Sequence, residues 1–332
     1  MHSHVTAAVA EAASALRSVR DDQPVWRRRD LVDFGIPDSL QSAMLRRDAL
    51  VRLRHGVYAL AELVRVDDPV ARHRIDVAAA VAAAEEPVWG FAPSSSLLHG
   101  LPLPYPAPDR VHLLREGRAD LRALTRQSRH RLVIPEVAVT SSTQVGDADI
   151  TIVHGVPVVT RELAAVSTAG SLTSTRWRVA LFDAVLWKGR ADAQALMARA
   201  ERWRHLGGLE QVRTAIGLAR PGSQTPLETF SRLALVEQGL PEPELQVEFR
   251  DEAGLIGYVD MWWPELGVIG EADGALKYGG GADVLAEKVR EDRLRALGFI
   301  VVRWTWEEIR TNPGAVAARI RQAARLAARS RG

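Results

Sequence analysis

Three carboxylates in the last quarter of the chain, Asp260, Glu271 and Asp273, have a spacing suited to phosphodiester chemistry. The apolar runs 256–263 and 268–273 flank the four residues from Pro264 to Gly267, and a turn there closes them into a β-hairpin. Trp263 then faces Val268, and counting outward sets Asp260 opposite Glu271. Directly opposed residues have Cβ atoms about 4.5–5.5 Å apart, so two like charges repel there. A divalent cation resolves that repulsion, because Mg²⁺ (or Mn²⁺) takes hard oxygen ligands and needs only one or two carboxylates beside water and phosphate. Asp273 shares the face of Glu271 and is a further ligand or a base. The count assumes an unbulged hairpin, since one extra residue would turn Glu271 to the other face. In the competing reading these acids stand in water or pair with Arg290 and Arg293 of the next helix.

Around this hairpin a complete small domain is legible. The turn-rich segment from Ala219 to Pro226 marks its start. Thr225-Pro226-Leu227-Glu228 opens a helix that runs to Glu237, and Gly239 with Pro241 ends it. Strands are expected at 244–250, 256–263, 268–273 and 299–304, with a charged helix over 282–297 and a last helix after Trp304. Both faces of the second strand are apolar apart from Asp260, which calls for helices on both sides of the sheet. Glu228 has the capping-box separation from Thr225, and the same carboxylate is a candidate metal ligand. The chain has three lysines beside forty arginines, and Lys277 and Lys288 both follow Glu271. Unlike arginine, lysine offers a compact charge with an adjustable pKa, suited to orienting water or a leaving oxygen.

Length and composition set the frame. A chain of 332 residues exceeds what one core usually organises. With 47% apolar and 25% charged residues it reads as globular. No apolar run approaches the roughly 20 residues of a membrane span, and residues 1–20 lack a secretory pattern. The expected location is the cytoplasm. The absence of cysteine excludes disulfides, thiolate zinc sites and cysteine nucleophiles. Net charge is only +2 but is unevenly spread. Seven arginines face four aspartates between Pro24 and His55, and the final segment from Arg310 carries six arginines and no acid.

Helical spacing over 28–34 and 38–47, then two short strands joined at His55-Gly56, reads as a small winged helix-turn-helix. The middle region mixes helices at 69–84, 160–167, 175–187 and 191–204 with strands at 111–115, 131–134 and 150–158. His99, before Gly100, is placed to cap a helix C-terminus. The expected architecture is a mixed α/β and α+β multidomain chain: a DNA-binding domain over 1–62, an α+β domain over 63–219 and an αβββαβ domain over 220–332.

Two resemblances add to this. The segments RLRHGVYAL (52–60), SSSLLHGLPL (94–103) and VPVVTRELAAVSTA (156–169) resemble the AbiEi-type antitoxin family. That likeness implies that the helix from Ser39 to Arg47, with Arg46 and Arg47, enters the major groove while Arg52 and Arg54 on the wing approach phosphates. A solvated cap is the bland alternative. The run Glu271-Ala272-Asp273-Gly274, then Lys277-Tyr278, REDRLRALG (290–298) and FIVVRWTW (299–306), resembles domains related to very-short-patch-repair endonucleases, with the restriction-endonuclease-like PD-(D/E)XK core. The resemblance implies a Mg²⁺-dependent deoxyribonuclease in phage defence or DNA repair. Asp260 and Glu271, with Glu228, would hold metal, Asp273 or Lys277 would orient the nucleophile, and Arg290 and Arg293 would contact DNA. The pattern departs at Asp273, which stands where the family has lysine. The rival is an antitoxin-like transcriptional regulator without catalysis, and a third reading gives the middle region a protein partner encoded nearby.

Overall fold

In the computed structural model, residues 2–117, 135–273 and 281–331 are described. They form fourteen α-helices and twelve strands in three sheets, the mixed α/β and α+β class expected. None of these helices is long and apolar enough to cross a membrane. The chain divides into two compact units, residues 1–172 with 194–213 and residues 173–193 with 214–332.

The first unit begins with α1 (His2–Ser18), β1 (Trp26–Arg27), α2 (Arg28–Asp33), α3 (Asp38–Arg46), β2 (Leu50–Arg54) and β3 (Val57–Leu60). Its small antiparallel sheet has the order β1-β3-β2. Leu16, Trp26, Leu31, Met44, Leu50 and Leu60 close one core between helices and sheet. The opposite side of the hairpin, at Leu53, Val57 and Ala59, joins a second core with residues beyond 62.

That second core is built from α4 (Ala61–Val64), α5 (Pro69–Ala83), β4 (Val88–Gly90), α6 (Ala92–Leu98), β5 (Val111–Glu116), β6 (Val137–Ser142), β7 (Ile150–Val153) and β8 (Val156–Val159), and α7 (Arg161–Ser171) follows. The sheet order is β6-β5-β4-β8-β7. The run 150–158, expected as one strand, is a hairpin. His154 and Gly155 both take positive φ, 49° and 72°, the backbone of a two-residue turn that matches strand twist. The strand expected at 131–134 lies outside the described residues. His99 is the C-cap of α6 through its backbone N–H, which donates to the Ser95 carbonyl at 3.0 Å, while its ring Nε2 donates to the Val159 carbonyl at 2.8 Å.

Along the chain follow α8 (Thr175–Leu186), α9 (Ala193–Arg202) and α10 (Leu209–Leu218). The second unit combines α8 with α11 (Pro226–Glu237), β9 (Glu244–Asp251), β10 (Gly254–Trp263), β11 (Val268–Asp273), α12 (Gly281–Ala296), β12 (Ile300–Thr305), α13 (Trp306–Thr311) and α14 (Pro313–Arg331). Its sheet runs β12-β11-β10-β9. The first three strands in sequence are antiparallel, and β12 lies parallel to β11, a pairing that needs a crossover such as α12.

The turn fixes the register. Trp263 pairs with Val268 and Met261 with Gly270, as counting from Pro264 to Gly267 requires. Met261, Trp263, Val268 and Trp304 pack with α11, α13 and α14 on one face, and Phe249, Ile269 and Leu294 form the core against α12 on the other. Gly270 is obligatory here, since a Cβ would lie 2.5 Å from Trp304 Cη2 and 2.8 Å from Trp263 Cζ3. Both indoles are buried with their N–H groups satisfied, Trp263 on the Pro241 carbonyl and Trp304 on Ser231 Oγ. A buried pair anchors α11 to α8, in which Arg232 Nη2 lies 3.3 Å from Asp183 Oδ2 while Thr229 donates to the same oxygen at 2.7 Å.

Candidate functional site

The N-terminus of α11 supplies the first acid. Thr225 is its N-cap and Pro226 its first residue, which leaves the carboxylate of Glu228 to turn back on the preceding chain. Glu228 Oε2 accepts from the Gln224 amide at 2.8 Å, and Oε1 accepts from Thr225 Oγ1 at 2.9 Å. The residue is 5% exposed. Burial, reinforced by the charge on Asp260, pushes its pKa up to about 7. Glu228 therefore does not close the expected capping box, which would take the Thr225 amide; it ties down the Gln224 amide one residue earlier and is a neighbour of Asp260 at once.

Asp260 sits where the β10–β11 ladder ends. The last regular pair is Met261 with Gly270, and one step further Asp260 Oδ2 accepts the Ala272 backbone N–H at 2.9 Å. Oδ1 accepts from Gln246 Nε2 on β9 at 3.3 Å. Glu271, one residue before Ala272, is 8% exposed. Burial and then the Asp260 charge push Glu271 up to about 7, against the pull of Arg290. Asp260 thus borders two buried carboxyls whose pKa values burial, and then its own charge, push up.

The positive charges are arranged around this group. Arg290 Nη2 donates to Glu271 Oε1 at 2.9 Å and to the Tyr258 carbonyl at 2.6 Å, and Nη1 donates to Glu287 at 3.0 Å. Its path crosses β10 at Gly257, where φ is 142° and a Cβ would lie 3.1 Å from Arg290 Nε. A bulge at this point between β9 and β10 supplies that glycine. Arg303 on β12 lies 3.6 Å from exposed Asp273 and also pairs with Glu287 and Glu291.

Of the residues singled out in the sequence, Glu228, Asp260, Glu271 and Arg290 are brought together. Asp273 lies at the rim beside Arg303, Lys288 is exposed on α12, and Lys277 lies outside the described residues. Arg293 is engaged elsewhere, in a bidentate pair with Asp251 at 2.7 and 2.5 Å beside the β9–β10 turn. Gln246 is the residue that residue type did not reveal; it bonds both Asp260 and Glu228.

A fit to Mg²⁺ follows from the donor set. Asp260 and Glu271 offer hard oxygens, and their mutual repulsion asks for a cation. Among the described residues no three histidine or acidic groups are gathered closely enough to hold a metal by themselves. Water and substrate oxygens would complete such a site, as Mg²⁺ usually requires. Arg290 balances Glu271 in this structure, so a cation there shares or displaces that contact.

In the first unit Arg46, the last residue of α3, is exposed, and Arg47, its C-cap, is half-buried. Arg52 is exposed and donates to His55 Nδ1 at 2.8 Å. Arg54 turns inward instead, its Nη2 reaching the Pro135 carbonyl at 3.3 Å, and burial lowers its guanidinium pKa. Arg27, Arg28, Arg29 and His55 line an open cleft beside the β2–β3 turn, although Arg28 is paired with Asp38 and Arg27 donates to the Ala82 carbonyl.

No family model matches the chain. Two curated relatives from Mycobacterium tuberculosis are similar to it, "Uncharacterized protein MT2308" of strain CDC 1551 / Oshkosh and "Uncharacterized protein Rv2248" of strain ATCC 25618 / H37Rv. Each is 29% identical over 142 residues, covering 43% of this chain and 52% of the relative. The chain spans about half the length of these curated relatives.

Proposed function

We propose that the second unit is a Mg²⁺-dependent phosphodiester hydrolase acting on DNA, with the restriction-endonuclease-like PD-(D/E)XK core, and that the first six elements of the chain form a winged helix-turn-helix. The observation that carries the enzymatic reading is the convergence of Glu228, Asp260 and Glu271 at the end of the β10–β11 ladder, where burial and mutual repulsion leave a demand for positive charge. Carboxyls whose titration is shifted by burial and by one another, gathered at one place, mark a candidate functional site.

In this reading Asp260 and Glu271 hold the cation. When bound, Mg²⁺ polarises the phosphate and makes water a stronger nucleophile. Asp260 is held to the backbone of β11 by the Ala272 N–H, so its carboxylate keeps a fixed direction. Glu228 borders Asp260 from α11. Arg290, already at Glu271, meets the phosphate charge, and Asp273 at the rim orients water. The order of α1, β1, α2, α3, β2 and β3 supports the winged helix, with Arg46 and Arg52 exposed to meet phosphates. The protein would act in the cytoplasm.

A second reading, a regulator of the antitoxin type with a silent nuclease fold, is favoured by two observations. Arg290 neutralises Glu271 from within the chain, and Asp273 occupies the position at which the resembling nucleases have lysine. Such a regulator would bind DNA and a protein partner encoded nearby. Incubation of purified protein with supercoiled and single-stranded DNA and Mg²⁺ separates the readings. Cleavage that Asp260→Ala abolishes supports the hydrolase; DNA binding with no cleavage in wild type supports the regulator.

A further inference from the structure

We propose that Gln246 is a positioning residue of the cation site, whose side-chain amide stands between Glu228 and Asp260 and holds the two carboxylates in place for a metal ion. The inference rests on the cation reading of this site and names a residue which that reading does not contain.

The backbone is the first observation. Gln246 lies inside β9 yet has φ of +50°, a conformation that glycine takes freely and other residues adopt rarely. Glutamine lacks the short side chain with which asparagine or aspartate relieves this geometry. Strain of this kind persists where the surroundings impose it, and it gathers at functional sites. Here it falls directly across the strand pair from Asp260, between the regular pairs Val259–Val247 and Met261–Leu245.

The side chain is the second. Gln246 Nε2 is 3.3 Å from Glu228 Oε2 and 3.3 Å from Asp260 Oδ1. Carboxylates only accept, so the amide nitrogen must face them, one N–H to each. Gln246 Oε1 accepts from Gln224 Nε2 at 2.7 Å, which fixes the amide plane from the other side. Gln224 also gives its backbone N–H to Glu228, so one residue orients both the acid and the amide. The nitrogen occupies the point at which two like charges most need a positive partner, and it supplies partial positive charge without neutralising either acid. Outer partners of this kind commonly set the affinity of a metal site.

The test is titration of the full-length protein with MnCl₂ at pH 8, paired with urea unfolding in EDTA. Gln246→Gly removes the amide while suiting the backbone, so the fold is preserved. The expected result is Mn²⁺ affinity lower by roughly 10- to 100-fold with an unchanged or raised urea midpoint. Gln246→Lys places an ammonium at the same point; the expected result is higher stability in EDTA and loss of Mn²⁺ binding. Wild-type affinity in Gln246→Gly, or in Gln246→Lys, overturns the proposal while leaving the cation reading intact. Failure of wild type to bind Mn²⁺ overturns both.

Discussion

Replacing Glu228 by glutamine removes a carboxylate whose charged form the fold disfavours, and the size of the effect follows from its titration. Its pKa is raised from 4.5 to about 7. Below 4.5 the group is neutral in folded and unfolded chain alike and contributes nothing. As pH rises from 4.5 to 7 the unfolded chain releases the proton while the folded one keeps it, so stability falls; above 7 the loss is complete. At about 1.36 kcal/mol per unit the full loss is about 3 kcal/mol. Glutamine still accepts from the Gln224 amide through its side-chain oxygen. Glu228→Gln should therefore be stabilised by about 2–3 kcal/mol at pH 8 and by almost nothing at pH 4. Urea unfolding in EDTA, followed at both pH values, measures the difference. A variant no more stable than wild type at pH 8, or equally stabilised at pH 4, would refute the reasoning. The same sign governs metal binding: Glu228 and Glu271 carry protons below about 7, so Mn²⁺ should stabilise wild type at pH 8 and much less at pH 5.5.

Asp260→Ala should reduce Mg²⁺-dependent cleavage by more than the roughly 100-fold that loss of an outer metal partner can cause, with DNA affinity in a gel-shift assay unchanged. Gly270→Ala forces a methyl against Trp304 and Trp263, and chemical denaturation should show a loss of about 1–3 kcal/mol. Arg46→Ala combined with Arg52→Ala should weaken binding to duplex DNA and flatten the plot of log affinity against log salt by about 1.8, from two phosphate contacts of about 0.9 each. Fluorescence anisotropy across a salt series checks this, and an unchanged slope would remove these arginines from the interface.

Much of the second unit was legible because its signals are local. The turn from Pro264 to Gly267 and a side-chain period of two determined which residues of β10 and β11 oppose each other, and the observed pairs Trp263–Val268 and Met261–Gly270 follow that count. Thr225-Pro226 likewise announced α11 through its cap. Tertiary partners were less accessible. Arg293 and Arg54 read as exposed cations, but their long side chains reach Asp251 and the Pro135 carbonyl, groups distant in sequence. Gln246 carried no signal, since a positive φ is expected at Gly or Asn and nothing in a lone glutamine reports the carboxylates across the sheet. The strands Trp26–Arg27 and Val88–Gly90 are too short to show alternation. His154-Gly155 did hold a turn signal, which the surrounding run of β-branched residues obscured.

Crystals of the full chain soaked in Mn²⁺ at pH 8, with an anomalous difference map, test the central claim most directly. A cation held by Asp260 and Glu271 gives a peak bound by both carboxylates, with Arg290 shifted from its 2.9 Å contact to Glu271. A map with no peak at these carboxylates, and Arg290 still seated on Glu271, would contradict it.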